Sequence, residues 1–358
     1  MNTSISERVD PAALGREISS EVTGRVEAWR ERFRDASPFR HVVIDDFFDG
    51  AFCSELVSQF PTFDERKAIN ENGEIGGKAT QEKVRGLGPA YKRLDDLVRG
   101  EAFRGLVGRI TGISDLQYDP YYFGGGTHEN RAGQDLDPHV DFNYHPVTRQ
   151  HRRLNLIVYL NDTWQDDWGG SLQLHRDPYR PPAEDEIVTV TPLMNRCVIF
   201  ETNEHSWHGF RRIELPPGQE HRSRRSFALY YYTDTRPSDE TAQEHSTVYV
   251  ERHLPERFQP GRTLDGEDMQ ELRVLLARRD QHLRRLYLNI QRLYGEVNRL
   301  RAMTAPPLGS GSEADATGGA PDPSTAALRA RIHELEQSTS WRVTAPLRAL
   351  KRLLRRQD

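Results

Sequence analysis

Cysteine is nearly missing from this chain: Cys53 and Cys197 are the only two in 358 residues. They lie far apart and lack metal-ligand spacing, so neither a disulfide framework nor a Cys-ligated zinc site is expected, and the chain fits a reducing compartment. Long apolar runs are missing too. Hydrophobic residues make up 36% and charged residues 29%, mean hydropathy is −0.76, and no stretch approaches the ~20 apolar residues needed to span a bilayer. The segment Met1 to Gly15 has acidic residues and no apolar core of signal-peptide length, so a cytoplasmic location is expected. Neither charge dominates. The 49 basic and 54 acidic residues leave a formal charge of −5, which gives no global attraction to nucleic acid, and no nucleic-acid partner is expected. Only the last stretch is clearly basic.

The pattern along the chain divides it into five parts. Residues 1–35 read as a polar, helical N-terminal arm, with the helix over Ala12 to Phe33. Residues 36–240 read as the main domain: a strand near Pro38 to Phe48, then mostly helix from Ala51 to Gly112 with a Gly-rich interruption at Asn70 to Gly77. Short strands follow up to Thr233, at Gln117–Phe123, Arg153–Leu160, Gly170–His175, Ile187–Thr191, Arg196–Glu201, His208–Ile213 and Arg224–Thr233. Many short strands at fairly even spacing predict a sandwich or barrel. In 262–303, Leu272, Leu276, Leu283, Leu286, Ile290, Leu293, Val297 and Leu300 recur in steps of three and four, with Arg279 in the one missing seam position. That is the heptad pattern of a coiled coil, and self-association is its simplest consequence; a hairpin with Leu328 to Leu335 is the alternative. Residues 304–325 are Pro-, Gly- and Ser-rich and read as a flexible linker. In 326–358, Leu347, Leu350, Leu353 and Leu354 set against Arg348, Lys351, Arg352, Arg355 and Arg356 make a basic amphipathic helix, suited to an anionic membrane surface or to a protein partner.

The chemistry centres on His139-Val140-Asp141. Strand side chains alternate, so a His and an Asp two apart project from one face. A distant His208, in Ser206-Trp207-His208-Gly209-Phe210, would complete a two-His, one-carboxylate face with its other side open, the arrangement of non-haem Fe(II) oxygenases. His205 and His221 are the alternatives for the third ligand; the Trp-His-Gly context favours His208. His-x-Asp alone is common. His145 and His151 fall in the loop after the motif and are expected to face solvent or substrate, and His128 to belong to a loop. Tyr121, Tyr122 and Tyr230 to Tyr232 read mostly as core or pocket wall.

Several further blocks occur in order: Arg153-Leu154-Asn155-Leu156-Ile157-Val158-Tyr159-Leu160-Asn161, Trp168-Gly169-Gly170-Ser171-Leu172-Gln173-Leu174, Cys197-Val198-Ile199-Phe200, Trp207-His208-Gly209 and Arg224-Arg225-Ser226-Phe227-Ala228-Leu229-Tyr230-Tyr231-Tyr232. Together with His139-Val140-Asp141 they make residues 38–237 resemble the 2-oxoglutarate/Fe(II)-dependent oxygenases of the prolyl 4-hydroxylase-like group. The resemblance implies a mainly β fold, a double-stranded β-helix (jelly roll) with flanking helices, here followed by the coiled-coil helix. It implies Fe(II) as cofactor, 2-oxoglutarate and O2 as co-substrates and ascorbate as a stimulant, with no catalytic residue beyond the metal ligands. Asp141 points to hydroxylation, because related halogenases lack that carboxylate and use its vacancy for halide.

Arg222, Arg224 and Arg225 compete for the distal carboxylate of 2-oxoglutarate. The family pattern has a small residue two positions after the basic one and an aromatic six after; Arg224, Ser226 and Tyr230 satisfy it, and alternation puts them on one face while Arg225 points outward. An Arg suits the task because its planar fork can bind a carboxylate bidentately. Tyr159 matches a family tyrosine that hydrogen-bonds the same carboxylate, and one of Tyr121 and Tyr122 is a further candidate contact. The segment Ser340-Trp341-Arg342-Val343-Thr344-Ala345-Pro346-Leu347-Arg348 resembles tails of bacterial polysaccharide-assembly enzymes. It points to a glycan or a nucleotide- or lipid-linked sugar as substrate, and to an assembly complex or the inner membrane face as location. A prolyl or other protein side chain is the alternative substrate, and a non-catalytic metal-binding jelly-roll scaffold the alternative class.

Overall fold

Alternating strands and amphipathic helices assemble here into two antiparallel sheets with a helical layer. The computed structural model describes residues 14–68, 78–250, 254, 257–304 and 333, in two units, 1–254 and 255–358. In the first unit the helices are α1 (Ser20–Gly24), α2 (Val26–Asp35), α3 (Gly50–Ser58), α4 (Pro89–Arg99) and α5 (Glu101–Thr111). The strands are β1 (His41–Ile44), β2 (Ala79–Gln81), β3 (Gln117–Tyr118), β4 (Gly126–Asn130), β5 (Leu136–Val140), β6 (His151–Tyr159), β7 (Leu172–His175), β8 (Ile187–Val190), β9 (Cys197–Glu201), β10 (Trp207–Phe210), β11 (Arg224–Thr233) and β12 (Val248–Tyr249). The larger sheet runs β1-β9-β6-β11-β4-β2, with β3 also on β11; the smaller runs β12-β5-β10-β7-β8. These antiparallel sheets with flanking helices are consistent with the jelly roll expected from the sequence.

The larger sheet sorts its residues by alternation. Leu154, Leu156 and Val158 of β6 and Phe227 and Leu229 of β11 pack into the helix-side core with Phe103, Leu106, Val107 and Ile110 of α5. The opposite face carries Tyr159, Val198 and Phe200, which pack with Leu172, Leu174 and Val190 of the smaller sheet. This second, smaller core leaves room for polar groups, and the candidate site lies on the same face.

The described part of the N-terminal segment, from Leu14 on, is docked and not a free arm. Val22, Val26, Trp29 and Phe33 are buried in the helix-side core, with α2 against α5 and β1. The polar look of α2 comes from its outer face; the three apolar side chains in α2, spaced by three and four, are enough to dock it. The strand expected over Gln117–Phe123 stops at Tyr118. Asp119 ends it, since its carboxylate accepts from Tyr121 N and Phe123 N, both at 2.8 Å, and folds the chain into a turn.

The second unit contains α6 (Gly266–Thr304), 39 residues long. Leu276, Leu283 and Leu286 are exposed along it, whereas Val297 and Leu300 are buried. The expected linker (304–325) and basic helix region (326–358) lie outside the described residues, except for Thr304 and His333. No helix among the described residues is long and apolar enough to cross a membrane.

Candidate metal centre

Strand pairing in the smaller sheet sets His208 of β10 directly opposite His139 of β5, so both side chains leave the same face. Asp141 is the first residue beyond β5 and still points that way. One ligand atom from each of the three lies within 4.8 Å of the others. Asp141 Oδ1 is 3.7 Å from His139 Nε2, and Oδ2 is 3.5 Å from His208 Nε2. Neither His205 nor His221 joins this group.

The imidazoles are held ready for a cation. His139 Nδ1 donates to Asp137 O at 2.9 Å and His208 Nδ1 to Ser206 O at 2.8 Å. A carbonyl only accepts, so each Nδ1 carries the proton and each Nε2 turns a lone pair toward Asp141. Burial, with His208 close by, pushes His139 down to about 3. Burial also lowers His208. Both rings are therefore neutral. Tyr249 stacks on His139, ring centroids 5.0 Å apart, and Phe200 lies 4.8 Å from His208.

Asp141 has its own supports. Burial opposes its ionisation, but Arg152 above all, with a hydrogen bond from Asn155, holds its carboxyl far below the usual range. Arg152 Nη2 lies 3.0 Å from Asp141 Oδ2, and Asn155 Nδ2 donates to the same oxygen at 2.8 Å. Arg152 also donates to Asn155 Oδ1 from Nε and Nη2 at 3.1 and 2.8 Å, and its guanidinium lies 3.6 Å from the Tyr230 ring centre.

On the larger sheet, Arg224 is buried among Tyr159, Phe210 and Gly170. Its Nε donates to Gly170 O at 2.6 Å and its Nη2 to Tyr159 Oη at 3.1 Å, with the Phe210 ring centre 4.3 Å away. Burial lowers its pKa, and Tyr159, not an acid, offsets that. Ser226, paired with Tyr159 across the ladder, is buried on the same face. Gly170 has φ +69°, and a Cβ there would meet Ile213 and Trp164 at 3.0 Å and Arg224 at 3.3 Å. Only glycine fits that close approach. Arg225 turns outward to Glu129 at 3.2 Å, and Arg222 pairs with Asp162 at 2.7 Å.

Two nearby cations escaped the sequence reading. Simple alternation from Asn155 would put Arg152 on the far face of β6. A register shift opposite Tyr231/Tyr232 turns it to the Asn155 side, as such irregularities do. Lys78 precedes β2 beside a polar, Gly-rich stretch; only the pairing of β2 with β4 brings it near the site.

Other expectations change. His145 is buried and faces no solvent: Nδ1 accepts from Val147 N and Thr148 N at 3.1 and 3.0 Å, and Nε2 meets Asp119 Oδ1 at 3.2 Å. His128 is on strand β4, not in a loop. Tyr122 belongs to the core, bonded to Asp95 at 2.9 Å, and Tyr121 is exposed.

The donor set fits a borderline divalent metal: two neutral imidazoles, one carboxylate and an open side. The buried Arg224, which has no acidic partner among the described residues, fits an organic anion. Residues 125–232 match the model of the 2OG-Fe(II) oxygenase superfamily. No relative is found among curated protein sequences. Among solved structures, a prolyl hydroxylase from Trichoplax adhaerens in complex with a hypoxia inducible factor peptide is 18% identical, covering 60% of this chain and 93% of its own, with TM-score 0.41. A Pseudomonas putida prolyl-4-hydroxylase is 17% identical over 57% and 98%, TM-score 0.38. HygX from Streptomyces hygroscopicus, with nickel and 2-oxoglutarate bound, is 14% identical over 61% and 95%, TM-score 0.39. Likeness this distant decides neither substrate nor outcome. The chain carries a 2OG-Fe(II) oxygenase domain and is an enzyme that depends on Fe(II) and 2-oxoglutarate.

Proposed function

We propose that His139, Asp141 and His208 hold Fe(II), that Arg224 with Tyr159 and Ser226 binds the distal carboxylate of 2-oxoglutarate, and that the enzyme hydroxylates an unactivated C–H bond. The observation that carries this reading is the pairing of a convergent His-Asp-His set with a buried arginine that has no acidic partner among the described residues. When bound, Fe(II) with 2-oxoglutarate and O2 supplies the oxidant, and the co-substrate leaves as succinate and CO2. The protein's own contribution is positional. The carbonyls of Asp137 and Ser206 fix the imidazoles with Nε2 inward. Arg152 and Asn155 keep Asp141 charged and oriented. Tyr159, Leu172, Leu174 and Phe200 keep the interior apolar, where a charge-assisted bond to Arg224 is strongest.

The substrate in this reading is a glycan or a nucleotide- or lipid-linked sugar of surface polysaccharide synthesis. Its support is the tail sequence Ser340 to Arg348, with the basic residues beyond it suited to a membrane surface or an assembly complex. Self-association through α6 belongs to the same proposal, because Leu276, Leu283 and Leu286 lie exposed on one long helix and a second copy would cover them. A mass-spectrometric screen for substrate-stimulated succinate release tests the reading. Stimulation by sugar donors or glycans with a 16 Da gain in the product is expected. Stimulation by proline-containing peptides alone would replace the sugar with a protein side chain.

A further inference from the structure

We propose that Lys78 binds an anionic group, a carboxylate or a phosphate, on the substrate that is oxidised. The inference rests on the reading of the cavity as an Fe(II)/2-oxoglutarate site and names what that site selects. Thr80 of β2 pairs with His128 of β4, and His128 pairs with Ser226 of β11. Lys78, two residues before Thr80, continues the alternation onto the same inner face, in the row where Asn130 pairs with Arg224. Its electrostatic partners agree with that direction: Asp141, Arg224 and Arg152 all act on it, and it acts on His128 and His139.

Among the described residues, the charges of the cavity are otherwise matched. Arg152 is matched with Asp141. Arg224 answers one carboxylate of 2-oxoglutarate and the metal answers the other. Lys78 remains. Glu82, the other acid that acts on it, is exposed and engaged with Gly124 N at 3.0 Å. A half-buried ammonium beside two guanidinium groups is costly unless an anion joins it; burial already pushes it down to about 8. Position separates Lys78 from the co-substrate's own cation. Arg224 is on a central strand, whereas Lys78 adjoins β2, the edge strand. The charge left over therefore faces the substrate.

The test uses the full chain as its anaerobic Fe(II)–2-oxoglutarate complex, titrated calorimetrically with glucose 1-phosphate, glucuronate and glucose. One charged probe should bind at least about ten-fold more tightly than glucose, the usual worth of a bond to a charged group. Lys78→Met should erase that difference, and Lys78→Arg should keep it. Affinity for 2-oxoglutarate, which also reports that each variant is folded, should stay within about two-fold. A preference for glucose 1-phosphate assigns phosphate, and for glucuronate, carboxylate. Equal binding of all three probes, or no saturable binding of either charged probe, overturns the proposal. A Lys78→Met variant with 2-oxoglutarate binding weakened instead overturns it by placing Lys78 in the co-substrate site. A wild-type chain unable to bind Fe(II) or 2-oxoglutarate removes the underlying reading, and this inference with it.

Discussion

The two ends of the cavity balance charge in opposite ways. At the His-Asp-His end, Asp141 is answered by Arg152 and Asn155, and the neutral imidazoles donate from Nδ1 to backbone carbonyls. At the other end, the hydrogen-bond partners of Arg224 among the described residues are a carbonyl and a phenol. The first end is complete in its hydrogen bonds and open only to a cation. The second is a buried cation awaiting an anion. Buried charges are ordinarily paired, so the unpaired one marks a ligand, and the paired one marks a group held for orientation.

The contrast can be broken at either end. The largest effect is expected from His139→Ala, Asp141→Ala and His208→Ala. Each should remove stoichiometric Fe(II) binding and bring succinate formation to background, while circular dichroism stays native because the ligands stand on a sheet formed without them. Turnover surviving in His208→Ala would mean another histidine completes the set. Next comes Arg224→Ala, which should raise the 2-oxoglutarate requirement by roughly 3–5 kcal/mol in binding, the cost of stranding a buried charge. Arg225→Ala, on the opposite face of the sheet and paired there with Glu129, should change it by at most about 1 kcal/mol. The reverse order would shift the register of β11 by one residue. Arg152→Gln should weaken Fe(II) affinity about 10–100-fold, the usual effect of removing a ligand's orienting partner, and leave 2-oxoglutarate affinity nearly unchanged. Equal loss of both would make Arg152 a support of the whole cavity. The smallest effect concerns the second unit. Truncation after Arg262 should leave per-site turnover unchanged while converting an oligomer to a monomer in sedimentation; a full-length chain already monomeric at micromolar concentration would contradict pairing through α6.

Legibility in the sequence followed distance along the chain. The Asp137-to-Asp141 segment and the strand Arg224–Thr233 could be read locally, because a period of two assigns faces directly and places Arg224 inward with Ser226 and Arg225 outward. Arg152 could not. The same period puts it opposite Asn155, and only the register shift against Tyr231/Tyr232 turns it to the metal side. His145 misled for a related reason: its loop is polar, but Asp119 and two backbone amides capture the ring. The polar outer face of α2 concealed the short apolar stripe that docks it.

The sequence alone settled residue chemistry and local direction: that His139 and Asp141 alternate onto one strand face, and which arginine of three faces inward. Tertiary structure decided everything that depends on pairing between strands far apart in the chain. It set His208 opposite His139, gave Asp141 two fixed partners, left Arg224 without an acid among the described residues, and brought Lys78 onto the inner face from an edge strand. Alternation is a property of a single backbone, whereas register, burial and the matching of charges exist only once two backbones lie side by side.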